Sequence, residues 1–336
     1  FSPKRLTSAT LVVAAILMLF QGWAPVFAAL LLGRLLYGLT IVAREPARAL
    51  LIKQWMRPKE IVIANATIEL LWGVGGGLFI LFPLILKLLD DSWRNTFYLF
   101  GGISLAIALV WQVIGKERVT SEYVTEIRSQ VKNPIGTILR YKELWVLAGG
   151  VIGLEIAFSA MSTFWPSYML DTYGFSLTKA TTIRAIGGFV AAPGALAIGI
   201  LVSRAGRKKL LLFSGGILMA LSYVGMLYTG SFFYLALISI ANGISITIFP
   251  IIMTIPFELP GIRPREVAVA SAFVRTAMMG GAIIGPVLTG AIHQASGDLR
   301  LALTISCLAA LSITTAAILL PRNVDRLASE QAALNS

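Results

Sequence analysis

The amino-acid sequence predicts an all-α integral membrane protein, and three observations support this fold class. Apolar residues make up 57% of the 336 residues and charged residues 13%. Mean hydropathy reaches +0.82, which is far above the value of an ordinary soluble domain. The apolar residues fall into ten long runs, and basic residues are concentrated in alternate loops between them. A chain that crosses a lipid bilayer repeatedly has this pattern.

Each apolar run is long enough to cross a hydrocarbon core of about 30 Å as a helix. None of the runs alternates apolar with polar residues, as the strand of a membrane barrel would. The predicted transmembrane helices cover residues 8–23, 26–52, 61–86, 92–114, 144–170, 178–202, 210–228, 232–256, 267–293 and 299–320.

The basic residues predict the orientation of these helices. Of the 28 Lys and Arg residues, nineteen lie in loops on one side, four lie on the other and five lie inside apolar runs. The positive-inside rule therefore places the basic loops and both ends of the chain in the cytoplasm, in a multi-pass protein of the cell membrane. The net charge of +12 is spread over short loops that face lipid headgroups. We therefore expect a lipid bilayer, and not nucleic acid, as the partner of these charges.

Several familiar site chemistries are not expected. Cys307 and His293 are the single cysteine and histidine of the sequence, so neither belongs to a disulfide framework or a metal cluster within one chain. The glycine-rich stretch "GVGGG" at Gly73 to Gly77 lies inside an apolar run with no preceding strand, which favours close helix packing or a bend over a nucleotide site. The sequence has no Walker motif. We expect no cofactor, no metal and no enzymatic activity.

Two stretches of the sequence repeat each other. "RPKEIVIANA" begins at Arg57 and "RPREVAVASA" begins at Arg263, 206 residues later, and five of their ten letters are identical. The same offset relates "SWR" at 92–94 to "DLR" at 298–300. Each copy begins an apolar helix directly after a basic loop. The repeat therefore predicts two helical bundles in parallel orientation, related by an axis along the membrane normal.

The repeated letters are typical of a helix entrance. Pro58 and Pro264 lie at a helix start, where a missing N–H costs little. Glu60 and Glu266 place a carboxylate at the positive end of the helix dipole. The small residues that follow in both copies allow a neighbouring helix to approach closely.

The loop "GILVSRAGRKK" at 199–209 resembles the loop signature of the major facilitator superfamily, G-x-x-x-D-R-x-G-R-R/K. The matching residues are Gly199, Arg204, Gly206, Arg207 and Lys208, and Ser203 replaces the acid. "GRLLYG" at 33–38 is similar to the fourth-helix signature of the family, with Arg34 as its arginine. "SWRNTFYLFGG" resembles the entry to the sixth helix, and "GAIIGPVLTG" at 281–290 resembles a glycine-proline helix motif.

The resemblance implies a secondary transporter with twelve helices in two bundles. The ten runs then correspond to helices three to twelve, with two helices lacking at the front; a natural ten-helix protein is the alternative. The implied domains are an N-terminal bundle at 1–115, a cytoplasmic linker at 116–143 and a C-terminal six-helix bundle at 144–336. Transporters of this kind bind a small molecule between the halves and alternate its access. We expect the protein to act as a monomer.

Ionisable groups inside the membrane cost about 2.5 to 3.5 kcal/mol each and mark candidate sites. Arg34 is expected to bind an anionic substrate or couple protons, or to pair within the bundle. Glu155 is a candidate for proton coupling, with a structural ion pair as the alternative. Arg184 is expected within reach of an external vestibule. Asn242 is expected to hydrogen-bond a substrate or a neighbouring helix.

Two further groups of residues complete the predicted sites. Trp165 and Tyr168 are expected in an aromatic belt at the membrane interface. Arg44, Glu45 and Arg48 lie nearer the cytoplasmic end of their helix, where they are expected to extend toward water or to pair.

The repeat breaks its own symmetry at one position. Glu69 stands nine residues after Glu60, and Arg275 stands nine residues after Glu266. Equivalent positions of the two halves thus carry opposite charges. Either the two side chains meet and form a gate, or each pairs within its own half.

These observations predict a secondary active transporter of a small solute, coupled to protons or to an anion gradient. Buried cations outnumber buried acids, which favours an organic or inorganic anion. A drug/proton antiporter is the alternative within transport. A membrane-embedded enzyme acting on lipid-linked substrates, or a non-transporting remnant, is the alternative of another class.

Overall fold

The computed structural model describes residues 2–57, 60–119, 134–205, 207–259 and 261–321. These residues form helices and connecting turns, with no strand among them. Nine helical segments of the described residues are long and apolar enough to cross a membrane, and two of these, Phe232–Phe257 and Leu299–Leu319, consist of consecutive shorter helices. A tenth segment, Ile61–Gly75, is shorter. The prediction of an all-α integral membrane protein is confirmed, and each of the ten predicted segments contains helix.

Fourteen α-helices are described, and some of them are pieces of one interrupted segment. They are α1 (Pro3–Trp23), α2 (Phe27–Trp55), α3 (Ile61–Gly77), α4 (Phe82–Leu88), α5 (Trp93–Ile114), α6 (Pro134–Ile138), α7 (Lys142–Tyr173), α8 (Leu177–Ala205), α9 (Lys208–Gly225), α10 (Phe232–Ile246), α11 (Phe249–Thr254), α12 (Pro264–Ser296), α13 (Leu299–Leu308) and α14 (Leu311–Leu319).

Three predicted helices are interrupted, two of them for reasons visible in the sequence. The first passes from α3 through a 3₁₀ turn at Leu78–Leu81 into α4, directly after the glycine-rich stretch. The second breaks between α10 and α11, where Pro250 stands in the first turn of α11. Glycine loosens a helix and proline removes an N–H donor, so both favour such breaks. The third break, between α13 and α14, has no glycine or proline beside it.

The chain forms two compact units. Unit 1 comprises Phe1–Met56, Leu81–Gly136 and Ile262–Arg275, and unit 2 comprises Arg57–Ile80, Thr137–Gly261 and Thr276–Ser336. Helix α3 therefore belongs to the unit that contains α7 to α11, and the first turns of α12 belong to the unit that contains α1 and α2. The predicted domain boundaries stay a prediction, and residues 120–133 of the predicted linker lie outside the described part of the chain.

In unit 1, helix α1 packs against both α2 and α5. A methyl group on Gly101 of α5 would lie 2.7 Å from Leu19 Cδ2 and 3.2 Å from the Leu19 nitrogen of α1, so a larger residue here would require Leu19 to move. The opposite faces of α2 and α5 carry exposed apolar side chains; Phe27 is 76% exposed and Val113 is 81% exposed. Such a surface suits contact with lipid.

In unit 2, helix α8 packs between α3 and α10, and α7 and α9 pack against the α13–α14 segment. A methyl group on Gly73 of α3 would lie 2.8 Å from the Ala192 nitrogen of α8. The glycine-rich stretch is thus a helix-packing element, and it also precedes the break at Leu78–Leu81. The helix-packing interpretation of "GVGGG" is confirmed at Gly73.

The internal repeat extends to hydrogen-bond geometry. Glu60 Oε2 accepts from the Arg57 backbone N–H, and Glu266 Oε2 accepts from the Arg263 backbone N–H, both at 2.9 Å. Each carboxylate thus satisfies a donor that the helix start leaves open. Pro264 begins α12, as predicted, whereas Pro58 lies outside the described residues.

The second pair of repeated letters also forms equivalent caps. Ser92 caps α5 by accepting from the Asn95 N–H, and Asp298 caps α13 by accepting from the N–H groups of Arg300 and Leu301. The same offset of 206 residues therefore relates two helix starts with the same kind of side-chain cap.

Candidate functional site

Three of the predicted site residues come together in unit 2. Glu155 on α7, Arg184 on α8 and Asn242 on α10 all lie in the electrostatic surroundings of Tyr223 on α9. The Tyr223 side chain is completely buried, and its hydroxyl makes no hydrogen bond among the described residues. We call these four residues the Tyr223 cluster. Four different helices contribute to it, so the cluster exists only when the bundle is assembled.

Glu155 lies thirteen residues after the start of α7 at Lys142, about 20 Å along the helix at 1.5 Å per residue. The residue is 8% exposed. On one side its Cβ supports the close approach of α12, because a methyl group on Gly281 would lie 2.8 Å from it. The packing of α12 therefore fixes the stem of the Glu155 side chain.

Hydrogen bonds orient the other two polar side chains of the cluster. Asn242 Nδ2 donates to Ser222 Oγ of α9 at 3.1 Å, so the expected bond to a neighbouring helix is present. Arg184 Nη2 donates to Ser162 Oγ of α7 at 2.9 Å. Arg184 is half-buried, and its other guanidinium N–H groups give it capacity for a further acceptor.

Sequence reasoning missed Tyr223, although this residue connects the other three. Tyr223 is one of nine tyrosines in the sequence and lies inside an apolar run. Its neighbouring residues do not distinguish it from the other eight. A helix that is apolar on all sides gives no pattern that says which face is buried. The one available signal is its neighbour Ser222, which makes "SY" a small polar pair inside a membrane helix.

A second cluster lies in unit 1 and is rich in arginine. Arg48 and Glu45 of α2 form an ion pair in which Arg48 Nε donates to Glu45 Oε1 at 2.6 Å. Arg44 interacts with Tyr37, Glu45 and Arg48 on its own helix and with Arg275 of α12. We call these residues the Arg44 cluster. The expected pairing near this end of α2 is thus confirmed for Glu45 and Arg48.

Arg34 lies on the same helix but does not join the Arg44 cluster by contact. Its guanidinium carbon lies 5.8 Å from the centre of the Tyr37 ring, a cation–π distance. The residue is exposed on the surface of unit 1. Its predicted role in substrate binding stays a prediction.

Glu69 and Arg275 belong to different compact units. Both side chains have interaction partners among the described residues, and Arg275 is one of the charges near Arg44. Their pairing as a gate stays a prediction.

The loop that resembles the family signature joins α8 to α9 and is fixed by three contacts in unit 2. A methyl group on Gly199 would lie 2.6 Å from Ala66 Cβ of α3. Lys208 is 1% exposed and forms an ion pair with Glu258, while Lys209 donates to the carbonyl oxygens of Ile318 and Leu320 at the end of α14. These lysines neutralise the negative end of that helix and a nearby carboxylate.

Arg207 is the exposed N-cap residue of α9. Arg204 is described as backbone only, and Gly206 lies outside the described residues.

Comparison with known families identifies this architecture. The family model described as Major Facilitator Superfamily matches residues 1–264. The chain belongs to the Major Facilitator Superfamily. The resemblance carried by the loop and helix signatures is thereby confirmed.

Two superfamily relatives are hexuronate transporters of Escherichia coli, from strain K12 and from O157:H7. Each is 26% identical to this chain over 158 residues. The match covers 42% of this chain and 36% of the length of each relative.

Solved structures of the superfamily share the fold. The human organic anion transporter MFSD10 (TETRAN) has a TM-score of 0.70 at 14% identity, over 94% of this chain and 77% of that chain. FucP, crystallised in the outward conformation, has a TM-score of 0.68 at 16% identity, over 95% of this chain and 83% of that chain.

The superfamily loop gives a stability prediction. Replacing Lys208 by Met is expected to lower the free energy of unfolding by about 1–3 kcal/mol, because Glu258 loses its cationic partner while it is still largely buried. The measurement is the thermal unfolding midpoint of the purified protein in detergent. Arg207→Gln is the matched control in the same loop and should leave the midpoint unchanged. Adding Glu258→Leu to Lys208→Met should restore part of the loss. Equal midpoints for Lys208→Met and the parent protein would contradict the assignment.

Trp165 and Tyr168 are not in an interfacial belt, so that expectation is wrong. Trp165 is 0% and Tyr168 3% exposed. Trp165 Nε1 donates to the Met226 carbonyl at 3.2 Å, and the Tyr168 hydroxyl donates to the Leu227 carbonyl at 2.8 Å. Both rings lie between α7 and the end of α9. The two carbonyl groups supply the acceptors that a buried indole N–H and a buried phenol O–H need.

Tyr168 also borders a cavity of about 350 Å³ at the ends of α7 and α12. Arg300 Nε donates to its hydroxyl at 2.6 Å. His293, Asp171 and Asp298 line the same cavity. The single histidine thus lies at a polar opening of unit 2, in the last turn of α12.

Proposed function

We propose that this protein is a secondary active transporter that moves a small solute across a membrane by alternating access, with a small organic or inorganic anion as its substrate. The observation that carries the proposal is the Tyr223 cluster. A carboxyl and a guanidinium from two helices, with an amide from a third, lie in the electrostatic surroundings of a completely buried phenol on a fourth helix of a superfamily protein. Polar groups in this position are expensive and are retained where they bind solutes or move protons.

An anion suits the charges inside the apolar segments. Five arginines lie there (Arg34, Arg44, Arg48, Arg184 and Arg275), against three glutamates (Glu45, Glu69 and Glu155). Guanidinium groups bind carboxylates and phosphates through paired hydrogen bonds. The hexuronate transporters and the human organic anion transporter among the similar proteins support the same substrate class.

We assign proton coupling to Glu155. Glu155 is almost completely buried and lies in the electrostatic surroundings of the buried Tyr223 hydroxyl. Alternating access exposes such a group first to one side of the membrane and then to the other, so that it can bind a proton on one side and release it on the other. Arg184 and Asn242 are then the groups that contact the solute or the proton-bound carboxyl.

The proposal also includes the orientation of the protein in the membrane and its oligomeric state. The basic loops, including the one with Lys208 and Lys209, face the cytoplasm together with both ends of this chain, in the cell membrane. The protein acts as a monomer, with lipid and the solute as its partners. Membership in the superfamily is consistent with a protein that is not an enzyme.

A drug/proton antiporter is the second candidate, and the glycine-proline motif of α12 favours it. Pro286 interrupts the hydrogen bonding of α12, and Gly281 and Gly285 bring this helix directly onto α7. A helix of this kind can slide or bend against the helix that carries Glu155. The substrate would then be an apolar cation, for which Glu155 is the counter-charge.

Transport in reconstituted vesicles tests the proposal. The full gene product is placed in proteoliposomes, and uptake of radiolabelled glucuronate, citrate, phosphate, glucose and a lipophilic cation is measured with an inward proton gradient, which drives symport, and with an outward proton gradient, which drives uptake by a proton antiporter. We expect uptake of at least one of the anions to exceed that of protein-free vesicles and to increase with the inward gradient. Uptake of the lipophilic cation alone would favour the antiporter. No movement of any anion or cation under either condition would contradict both.

A further inference from the structure

We propose that the cavity between the start of α1 and the end of α5 binds an anionic phospholipid, with the phosphate on basic side chains at its outer end and an acyl chain along its apolar wall. The cavity has a volume of about 900 Å³. Its lining residues all belong to unit 1, whereas the Tyr223 cluster belongs to unit 2. The site is therefore distinct from the proposed solute and proton groups.

Basic side chains line the outer end of the cavity. Lys4 and Arg5 stand in the first turn of α1, and Lys116 follows the end of α5. Among the described lining residues these three cations are accompanied by one carboxylate, that of Glu117. Basic pockets between membrane helices at the membrane surface attract anionic lipid headgroups. The charge of the lining thus favours a phosphate group.

The carboxylate of Glu117 is already engaged by the start of α1. Its Oε1 accepts from the Ser2 hydroxyl at 2.5 Å and from the Lys4 backbone N–H at 2.6 Å. Glu117 therefore occupies the place where the helix dipole would attract an anion. Among the described residues, the side chains of Lys4, Arg5 and Lys116 form no ion pair. Their charged groups remain available to a ligand.

The segment that carries Lys116 is fixed from a second side. Trp55 Nε1, at the end of α2, donates to the Lys116 carbonyl at 3.3 Å. The guanidinium carbon of Arg118 lies 6.0 Å from the centre of the Trp55 ring, a cation–π distance. Together with the bonds of Glu117, these contacts join residues 115–118 to both α1 and α2. The cationic wall is thus part of the folded unit.

The lining changes from polar to apolar with depth, as a phospholipid does. Ser8, about 6 Å along α1 from Lys4 at 1.5 Å per residue, is 8% exposed, and its hydroxyl has no hydrogen-bond partner among the described residues. An ester oxygen of a lipid at this depth would supply the missing acceptor.

The deeper part of the cavity is apolar and is lined by Ala9, Val12 and Val13. Val13 lies nine residues after Lys4, about 14 Å along the helix, which is close to half of a hydrocarbon core of about 30 Å. The cavity is therefore about one leaflet deep. A free phosphate would fill only its outer end, whereas a lipid uses its whole length.

Lipid binding to the purified protein tests the site. The full gene product in detergent is titrated with phosphatidylglycerol, phosphatidylcholine or inorganic phosphate, and bound molecules are counted by native mass spectrometry. We expect phosphatidylglycerol to bind more tightly than phosphatidylcholine. Replacing Lys4, Arg5 or Lys116 by Gln should weaken the affinity for phosphatidylglycerol about five-fold each, and the triple variant about 100-fold. Lys142→Gln, at an exposed position at the start of α7, is the matched control and should leave the affinity unchanged.

A second variant tests the acyl-chain part of the site. Ala9→Trp fills the apolar part of the cavity without changing any charge, and it should weaken the affinity for phosphatidylglycerol at least about 10-fold, as expected for a blocked apolar contact. Ala9 is exposed, so the unfolding midpoint without added lipid should stay level. Ile16→Trp is the matched control, because Ile16 is exposed on the same helix outside the cavity lining.

Three outcomes would overturn the proposal. One is equal affinity of the parent protein and the triple variant for phosphatidylglycerol, and another is equal affinity of the parent for the two lipids. The third is binding of inorganic phosphate that requires the three cations, together with lipid binding that Ala9→Trp leaves unchanged, since this would assign the cations to a free anion. None of these measurements involves uptake in proteoliposomes, so the transport proposal is tested independently.

Discussion

Replacing Glu155 by Gln is expected to reduce proton-driven net uptake of the solute to the level of protein-free vesicles, while solute exchange across the membrane continues. Glutamine has nearly the shape of a protonated glutamate but cannot release a proton. Net transport requires the carboxyl group to give up its proton on each cycle, whereas exchange of one solute molecule for another does not. The measurement is uptake of labelled solute under an imposed pH gradient, compared with counterflow at equal pH.

The matched control for this prediction is Glu143→Gln on the same helix. Glu143 stands in the first turn of α7, at the predicted membrane surface, and should change neither uptake nor counterflow. A Glu155→Gln protein that still accumulates solute under a pH gradient would show that the coupling proton is carried elsewhere. Loss of both uptake and counterflow would show that Glu155 serves substrate binding or structure instead.

The sequence predicts the membrane helices of this protein well because the signal for them is local. A run of about 20 apolar residues specifies a spanning helix by its own length and composition. The helix caps are also determined by local sequence. Glu60 and Glu266 each reach a backbone N–H three residues earlier, so a ten-residue window contains both the donor and the acceptor.

Which face of a helix is buried is not a local property. Helix α7 is apolar on nearly all sides, so the sequence does not distinguish a lipid-facing aromatic from a core aromatic. The complete burial of Trp165 depends on the Met226 carbonyl, 61 residues away. The central place of Tyr223 likewise depends on three other helices. The sequence therefore offers Glu155, Arg184 and Asn242 as separate candidates, but it does not place all three in the surroundings of Tyr223.

The assignment of α3 to unit 2 also lies beyond the sequence. The repeat places α3 in the N-terminal half by chain order, yet its main contacts are with α8. Asn65 of α3 donates to Thr254 Oγ1 at 3.2 Å, 189 residues later. Small residues on α3 predicted a close helix neighbour, but not which helix it is, because glycine and alanine fit any partner surface.

The contact between α7 and α12 is the tightest packing around Glu155. A methyl group on Gly281 would lie 2.8 Å from Glu155 Cβ and still closer to the Ile152 carbonyl oxygen. One turn later, a methyl group on Gly285 would lie 2.6 Å from the Ile156 carbonyl oxygen. Two of these three obstacles are backbone atoms, which cannot move aside without displacing α7. The two glycines of the "GAIIGPVLTG" motif thus set the distance between the two helices.

Replacing Gly281 by Leu is therefore expected to destabilise the protein by at least about 3 kcal/mol, at the upper end of the range for an overpacked core. The larger side chain must push α12 away from α7, which also displaces Glu155, so any residual folded protein should lack proton-driven uptake. The measurements are the yield of monodisperse protein in detergent and its thermal unfolding midpoint. Gly280 is the matched control, because a methyl group there would meet nothing within 4 Å, and Gly280→Leu should be tolerated. If the two substitutions lower the midpoint equally, the effect belongs to losing glycine in a helix and not to the contact with α7.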